Sequence, residues 1–204
     1  RGTTLDQPEQ PVVNVSWDQA ARYCNWLSAR ENLPLFYRES GGKITGTNPA
    51  ANGYRLPTEA EWAWAARSTS GDAKRFGWGQ QFPPADGAGN FADSSASRMV
   101  DQVLTGYNDG FAVSAPVGSF SANHRGLHDL EGNVAEWVND YYGIEFSLGT
   151  GAEKDPTGPA SGEFRVIRGA SWRHGNIIQL RLSYRDYGVD GRDDLGFRVA
   201  RNVE

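Results

Sequence analysis

The sequence predicts one α+β domain in which two early helices pack against a sheet and long ordered loops make up much of the rest. Two stretches have the form of capped helices, beginning after Ser16 and after Thr58. Residues 164–168 and 195–200 alternate in the way that half-buried strands do. The 25 glycines and 10 prolines among 204 residues indicate many turns, and therefore extensive loops.

Both predicted helices carry a capping box and a tryptophan. Ser16 is the expected N-cap of the first helix, and Gln19, three residues later, completes the box. Thr58 and Glu61 repeat this pattern before a second helix that should reach about residue 68. The apolar face of the first helix is formed by Trp17, Ala20, Ala21, Cys24 and Leu27. The second helix is expected to bury Trp62, Ala65 and Ala66.

Shorter extended segments surround the helices. Residues 1–10 are polar and aperiodic, so they are predicted to form an extended arm ahead of a single domain at 11–204. Residues 11–15, 35–38 and 54–56 have the composition of short strands or extended segments.

The stretch 71–120 has little periodicity and many turn-forming residues. Ordering its backbone costs roughly 1–2 kcal/mol per residue, so something must hold it in place. Bound metal is one candidate, buried aromatic side chains are the other, and both can act together. The aromatic candidates are Phe76, Trp78, Phe82, Phe91, Tyr107 and Phe111.

Composition excludes several classes of function. The net charge is −5, so no dense basic face is available for a nucleic acid. No apolar run is long enough to cross a bilayer, and no signal-peptide pattern is present. The compartment stays open, with an extracytoplasmic location, periplasmic or secreted, favoured. Cys24 is the one cysteine, and its place on a helix face predicts a buried structural thiol.

Residues 126–137, with the sequence GLHDLEGNVAEW, form the stretch most suggestive of a site. Two glycines permit unusual backbone angles, so carbonyl oxygens can turn inward beside Asp129, Asn133 and Glu136. Such an arrangement can enclose a hard cation. A glycine-rich turn whose acids face water explains the motif alone equally well.

Five motifs occur in the order found in the formylglycine-generating enzyme, or sulfatase-modifying factor, family, and the chain resembles that family from about residue 11 to residue 201. They are NVSW at 14–17, YRLPTEAEW at 54–62, GLHDLEGNVAEW at 126–137, RGASW at 168–172 and GFR at 196–198. The resemblance implies a variant of the C-type-lectin fold, with a twisted antiparallel sheet, two helices and extensive ordered loops. It also implies upstream strands that are missing here, so a neighbouring chain or domain is a possible partner that completes this edge.

The family binds calcium at two places, and the resemblance implies the same two donor sets in this chain. The first set is Asn90, the carbonyl of Phe91, Asp109 and the carbonyl of Phe111. The second set is Asp129, the carbonyls of Gly132 and Val134, and Glu136. All these donors are oxygens, which suit calcium and argue against zinc or copper. Two calcium ions are therefore the expected cofactors, and copper is not expected.

The family's catalytic members use a pair of cysteines after the Arg-Gly-x-Ser motif, and here those positions hold His174 and Gln179. A histidine and a glutamine cannot replace two thiolates in binding copper(I). We therefore expect a chain that does not make formylglycine. His124 and His128 stand four residues apart, but the nearby glycines disfavour a helix that would bring them together, so both are interpreted as hydrogen-bonded or solvent-facing side chains.

The segment that lines the family's substrate groove carries aromatic, guanidinium and amide groups, as recognition surfaces do. The candidate ligand-binding residues are Trp172, Arg173, His174, Asn176, Gln179, Arg181, Tyr184 and Arg185. Trp172 and Tyr184 can instead belong to the core, and the arginines can pair with acids at 186, 190, 193 and 194. We expect core burial for Trp172 and exposure for His174 and Asn176.

Three functions remain open from the sequence. The first is a non-catalytic, calcium-stabilised module that binds a protein or a small ligand. The second is an enzyme of altered chemistry, with His174, Arg181 and Arg185 around the former active site. The third is a structural subunit completed by its neighbour.

Overall fold

A computed structural model describes residues 3–67, 74–144 and 153–202. Two α-helices are present among them, α1 (Trp17–Arg30) and α2 (Glu59–Ala66), together with a 3-10 turn at Ser94–Ala96. The strands are β1 (Tyr37–Ser40), β2 (Lys43–Thr47), β3 (Tyr54–Arg55), β4 (Ala135–Tyr141), β5 (Arg165–Arg168), β6 (Arg185–Gly188), β7 (Leu195–Phe197) and β8 (Ala200–Arg201).

Both capping boxes are confirmed. The Ser16 hydroxyl accepts from the Gln19 backbone N–H, and the Gln19 side chain accepts from the Ser16 N–H. Thr58 and Glu61 make the same reciprocal pair at the start of α2. Four residues of the predicted apolar face of α1 are buried, including Cys24, and Leu27 is half-buried. In α2, Trp62 and Ala66 are buried and Ala65 is half-buried, and the helix ends at Ala66, about two residues earlier than expected.

The main sheet has the strand order β6-β5-β4-β7. The β6–β5 and β5–β4 pairs are antiparallel as expected, but β7 runs parallel to β4. The chain leaves β6 at one edge of the sheet and returns at the opposite edge as β7. The predicted strand at 195–200 is two separate strands, because β8 pairs with β3 in a second small sheet.

The two helices pack on opposite faces of the main sheet. Successive side chains of a strand point to opposite faces. On β4, Trp137 belongs to the cluster that includes Trp17 of α1, whereas the next residue, Val138, belongs to the cluster that includes Trp62 of α2. The sheet is therefore covered on both sides, and β4 forms its buried centre.

Aromatic side chains hold the irregular region in place, as one of the two explanations predicts. Phe76, Phe91 and Tyr107 are buried in one cluster. Trp78 is partly buried and packs against that cluster, whereas Phe82 is 44 % exposed and does not act as the predicted plug. No helix in the described parts of the chain has both the length and the apolar character needed to cross a membrane.

Replacing Asp140 by asparagine is expected to flatten the pH dependence of the folding stability. Burial raises the pKa of Asp140 to about 6, above the usual value of about 3.9 in unfolded chains. The folded state therefore keeps a proton that the unfolded state has released. The contribution of Asp140 to the free energy of unfolding should fall by roughly 1.4 kcal/mol per pH unit between about pH 4 and 6, and this contribution is what the variant lacks.

Urea unfolding at about pH 4.5, 5.5 and 6.5 measures this difference between wild type and Asp140→Asn. The exposed residue Asp190, changed to asparagine, provides the control and should keep the wild-type slope. Parallel stability curves for wild type and Asp140→Asn would show that this carboxyl group does not titrate as described.

Candidate functional site

The structure brings the side chains of the first donor set together in the loops before β4. The Asp109 carboxylate accepts hydrogen bonds from the backbone N–H of Phe91 at 2.9 Å and of Phe111 at 2.8 Å. Asn90 is fully buried and donates through Nδ2 to the carbonyl of Val113 at 2.8 Å. These bonds tie the 90–91 turn to the 109–113 loop.

Two features of this set fit a bound cation. The Oδ1 atom of Asn90 is buried and has no hydrogen-bond partner, which costs free energy unless something positive approaches it. Burial, more than the nearby Asp93 carboxylate, raises the pKa of Asp109 to about 7, although two backbone N–H groups favour the charged form. A calcium ion held by Asn90 and Asp109, with the carbonyls of Phe91 and Phe111, would satisfy both groups.

Asp93 is a residue of this site that the sequence interpretation missed. Its carboxylate is fully buried and accepts from the backbone N–H groups of Ser95 at 2.7 Å and of Asp109 at 2.5 Å. The single proton of the Ser95 hydroxyl is shared between Asp93 and the carbonyl of Phe111. Its position three residues after Asn90 is the signal that could have identified it, because a short turn brings positions at this spacing close together.

The second donor set is only partly free to bind a cation. Glu136 is held by Arg198, whose Nε lies 2.6 Å from Oε2, and the same oxygen accepts from Trp62 Nε1 at 2.8 Å. Its charge is therefore already balanced. Asp129 has a positive φ of 60° and accepts from the N–H of Gly118, but its Oδ1 is buried without a partner. A calcium ion here would share Glu136 with Arg198, and the second ion stays a prediction.

Glu131 is the second acid that the sequence interpretation missed. Its Oε1 atom is buried without a hydrogen-bond partner, and burial raises the pKa of the carboxyl to about 7. The carboxylate packs against Gly77, where an added Cβ would lie 1.2 Å from Oε2. Glu131 and Asp129 line one small cavity of about 190 Å³.

At the two positions that hold cysteines in the catalytic members, the structure shows a hydrogen-bonded polar cluster. His174 is buried, its Nδ1 accepts from the N–H of Ser171 at 3.2 Å, and its Nε2 lies 4.0 Å from Asp194. Burial lowers the pKa of His174, so the ring is neutral near pH 7. Gln179 hydrogen-bonds the hydroxyl of Tyr184, whose ring meets the His174 ring edge-on at 5.8 Å.

The expectation that His174 is exposed is therefore wrong. The imidazole is buried, and Asp194, twenty residues later, comes near it only through the tertiary fold. Trp172 is buried in the core as expected, and its Nε1 donates to the carbonyl of Asp193. Asn176 is half-buried, with its Nδ2 3.5 Å from the Gln102 side chain.

The arginine pairing also differs from expectation. Arg185 and Arg168 do not pair with the acids at 186–194. Both donate to Glu59 at the start of α2, with distances of 2.6 Å and 3.1 Å to Oε1. The acids at 186 and 194 pair instead with Arg192.

Some of the predicted ligand-binding residues remain accessible. Arg173 and Arg181 are exposed, and Arg173 pairs with the exposed Asp193 at 2.6 Å. Ile178, which the sequence interpretation did not include, is 58 % exposed between them. The accessible side chains of this segment therefore mix cationic and apolar groups.

The other candidate metal ligands or nucleophiles, His124, His128 and Cys24, belong neither to the two donor sets nor to residues 172–185. His128 is exposed and bonds the carbonyl of Phe120, and His124 is also exposed. Burial raises the pKa of the Cys24 thiol to about 12, which keeps it protonated inside the α1 core. Within residues 3–67, 74–144 and 153–202, no three histidine, cysteine, aspartate or glutamate side chains cluster as metal ligands would, so a cation site here needs amide and carbonyl oxygens.

Comparison with known proteins agrees with the fold and the motifs. The chain is 30% identical over 208 residues to a formylglycine-generating enzyme of Streptomyces coelicolor, covering 100% of this chain and 56% of that protein. It is 32% identical over 204 residues to the formylglycine-generating enzyme of Bos taurus, covering 97% and 46%. The chain thus spans about half the length of these relatives.

A solved structure named Treponema denticola variable protein 1 superposes with a TM-score of 0.70 at 29% identity, covering 98% of this chain and 74% of that one. A family model described as the sulfatase-modifying factor enzyme 1-like domain matches residues 1–203. The two helices, the sheet and the ordered loops are thus those of a known family. The chain belongs to the formylglycine-generating enzyme, or sulfatase-modifying factor, family.

Proposed function

We propose that this chain is a non-catalytic, calcium-stabilised member of its family that binds a partner through residues 172–185. The observation that carries the proposal is the state of the two cysteine positions. His174 and Gln179 occupy them, and each is already engaged, His174 with Ser171 and Gln179 with Tyr184. Copper(I) selects soft thiolate ligands, and neither side chain provides one.

Cys24 does not supply the missing sulfur. It lies in the α1 core, packed with Trp17 and Trp137, and its thiol is protonated at neutral pH. A thiol must reach the thiolate form to bind a soft metal or to act as a nucleophile. Oxidation of a cysteine substrate by the family's chemistry therefore has no sulfur centre in this chain.

Calcium at the first donor set supports the scaffold in this proposal. When the ion binds, the Asn90 amide oxygen gains a partner and the Asp109 carboxylate gains a counter-charge. The loops that carry them also carry Phe91 and Tyr107 of the aromatic cluster, so the ion and the cluster stabilise the same region. The exposed side chains of Arg173, Ile178 and Arg181 combine apolar area with directional donors, as protein-binding surfaces do.

An enzyme of altered chemistry is the second candidate, favoured by the approach of His174 to Asp194. The arrangement does not fit a general base well. Asp194 accepts from the buried Ser171 hydroxyl at 2.7 Å and from Arg192 at 3.1 Å, so it is committed to structural bonds. Arg185, a residue of this hypothesis, is held by Glu59.

The wild-type chain is expected to bind no copper(I) stoichiometrically and to leave a cysteine-containing peptide unoxidised, because both thiol positions are lost. Competition with a copper(I) chelator and mass spectrometry of the peptide measure the two properties. The Streptomyces coelicolor relative is the positive control for the assay.

The double variant His174→Cys, Gln179→Cys is the matched control for copper. It should gain at least tenfold in copper(I) affinity, because two thiolates are restored on the same scaffold. Stoichiometric copper binding with peptide turnover by the wild type would contradict the non-catalytic proposal.

Removal of calcium is expected to lower the melting temperature. An ion present at about 100 times its Kd stabilises the folded state by about 2.7 kcal/mol, which corresponds to roughly 5–10 °C in a domain of this size. Thermal unfolding in excess calcium and in excess chelator measures the shift. Asp109→Asn should weaken calcium binding at least tenfold by calorimetry.

Asp101→Asn removes an exposed acid from the same irregular region and should bind calcium as the wild type does. Equal melting temperatures of the wild type in calcium and in chelator would overturn the calcium part of the proposal. Loss of affinity in both variants would point to bulk charge in place of a specific site.

A further inference from the structure

A large groove lies away from residues 172–185. A groove of about 1230 Å³ runs between α1, the β1–β2 hairpin, the start of α2 and residues 155–160. None of the residues that line it belongs to the segment 172–185. Pockets for drug-sized ligands measure about 300–1,000 Å³, so this groove has room for an extended ligand.

Arg165 is clamped in the wall of this groove. Its guanidinium carbon lies 3.5 Å from the ring centroid of Trp17 and 3.5 Å from that of Tyr141, so the group is stacked between two aromatic rings. Nη1 donates to the carbonyl of Asn139 at 2.7 Å, which fixes the rotation of the guanidinium within its own plane. The side chain is therefore oriented before any ligand arrives, which lowers the entropic cost of binding.

The charge of Arg165 is not balanced by a carboxylate among the described residues. Asp18 and Asp140 act on it only from beyond ion-pair distance, and burial lowers the pKa of Arg165. Arg55, in the same groove, differs because both its Nη atoms donate to Glu61, at 2.6 and 2.7 Å.

Arg165 is half-buried and lines the groove. Arg165 contributes no atom to the buried side-chain nitrogens and oxygens that lack a partner, so any unbonded N–H it carries reaches solvent. The other charged groups that line the groove, besides the Arg55–Glu61 pair, are Arg201 and Asp155. Asp18 and Asp140 lie close enough to act on Arg165 but do not form an ion pair with it, so a ligand carboxylate can still form a direct pair with this guanidinium.

One wall of the groove is the edge of strand β2. Four consecutive residues, 44–47, line the groove, although alternate side chains of a strand point to opposite faces. A ligand that meets all four therefore meets the strand along its edge. β2 pairs with β1 alone, and Thr45 opposes no β1 residue because the register passes from Gly46 to Ile44. The N–H of Ile44 already donates to Asp18 Oδ1 at 3.4 Å, which leaves residues 45–47 of this edge for an added strand.

We propose that this groove binds an extended acidic peptide, which lies along the edge of β2 and places one glutamate or aspartate carboxylate on the free edge of the Arg165 guanidinium. The planar fork of arginine matches a carboxylate in two parallel hydrogen bonds. The strand edge supplies main-chain hydrogen bonds, and Arg165 supplies the selection for an acid.

The test uses the immobilised chain and three mixtures of acetylated hexapeptide amides with glutamate, glutamine or lysine fixed at one central position. Retained peptide is quantified by mass spectrometry. The glutamate mixture should be retained at least tenfold more than the glutamine mixture. Backbone N-methylation of the glutamate mixture should abolish retention, because it removes donors that the strand edge needs. Acetylglutamate amide and inorganic phosphate serve as small-anion probes.

Arg165→Gln should lose the preference for glutamate, whereas Arg38→Gln, an exposed arginine of β1 outside the groove, should keep it. Should Arg165→Gln fail to fold, the comparison of glutamate with glutamine on the wild type still decides. Equal retention of the two mixtures overturns the proposal, as does retention that N-methylation leaves unchanged. Small-anion probes that bind as tightly as the peptides would also overturn it, because they would show an anion site without a peptide site.

Discussion

The central strand β4 is the constraint on which the rest of the structure depends. It is hydrogen-bonded on both edges, by β5 and β7, and its alternate side chains meet α1 on one face and α2 on the other. The second donor set lies in and just before its first residues, and Asp140 near its end receives the first N–H of α2. A shift of one residue in this strand would exchange the two faces and move Glu136 into the core of α1.

The long region before β4 shows how a chain with little regular structure stays ordered. Its aromatic residues form a core of their own, and its buried acids and amides tie turns together through backbone N–H groups. Asn90, Asp93 and Asp109 thus position the backbone whether or not an ion is present, and they leave oxygen atoms that an ion can satisfy. In the proposed function the same residues would therefore serve both loop structure and cation binding.

Local signals in the sequence predicted the helices well, because a capping box lies within four residues. Ser16 with Gln19 and Thr58 with Glu61 needed no knowledge of the fold. The family motifs carried the sheet and the loops. Local sequence could not predict which side chains pair across the fold. Arg185 pairs with Glu59, 126 positions away, and Glu136 pairs with Arg198, 62 positions away. His174 lies near Asp194, 20 positions away. Burial of His174 follows from such a partner, so its exposure was predicted wrongly.

The ion pair between Glu136 and Arg198 has a consequence for biosynthesis. Because the two residues are 62 positions apart, the glutamate emerges from the ribosome well before the arginine that neutralises it. During that interval the loop that begins β4 carries the Glu136 carboxylate without the cation that pairs with it in the folded chain. The ion pair of this corner can therefore form only after the β7–β8 segment has been translated.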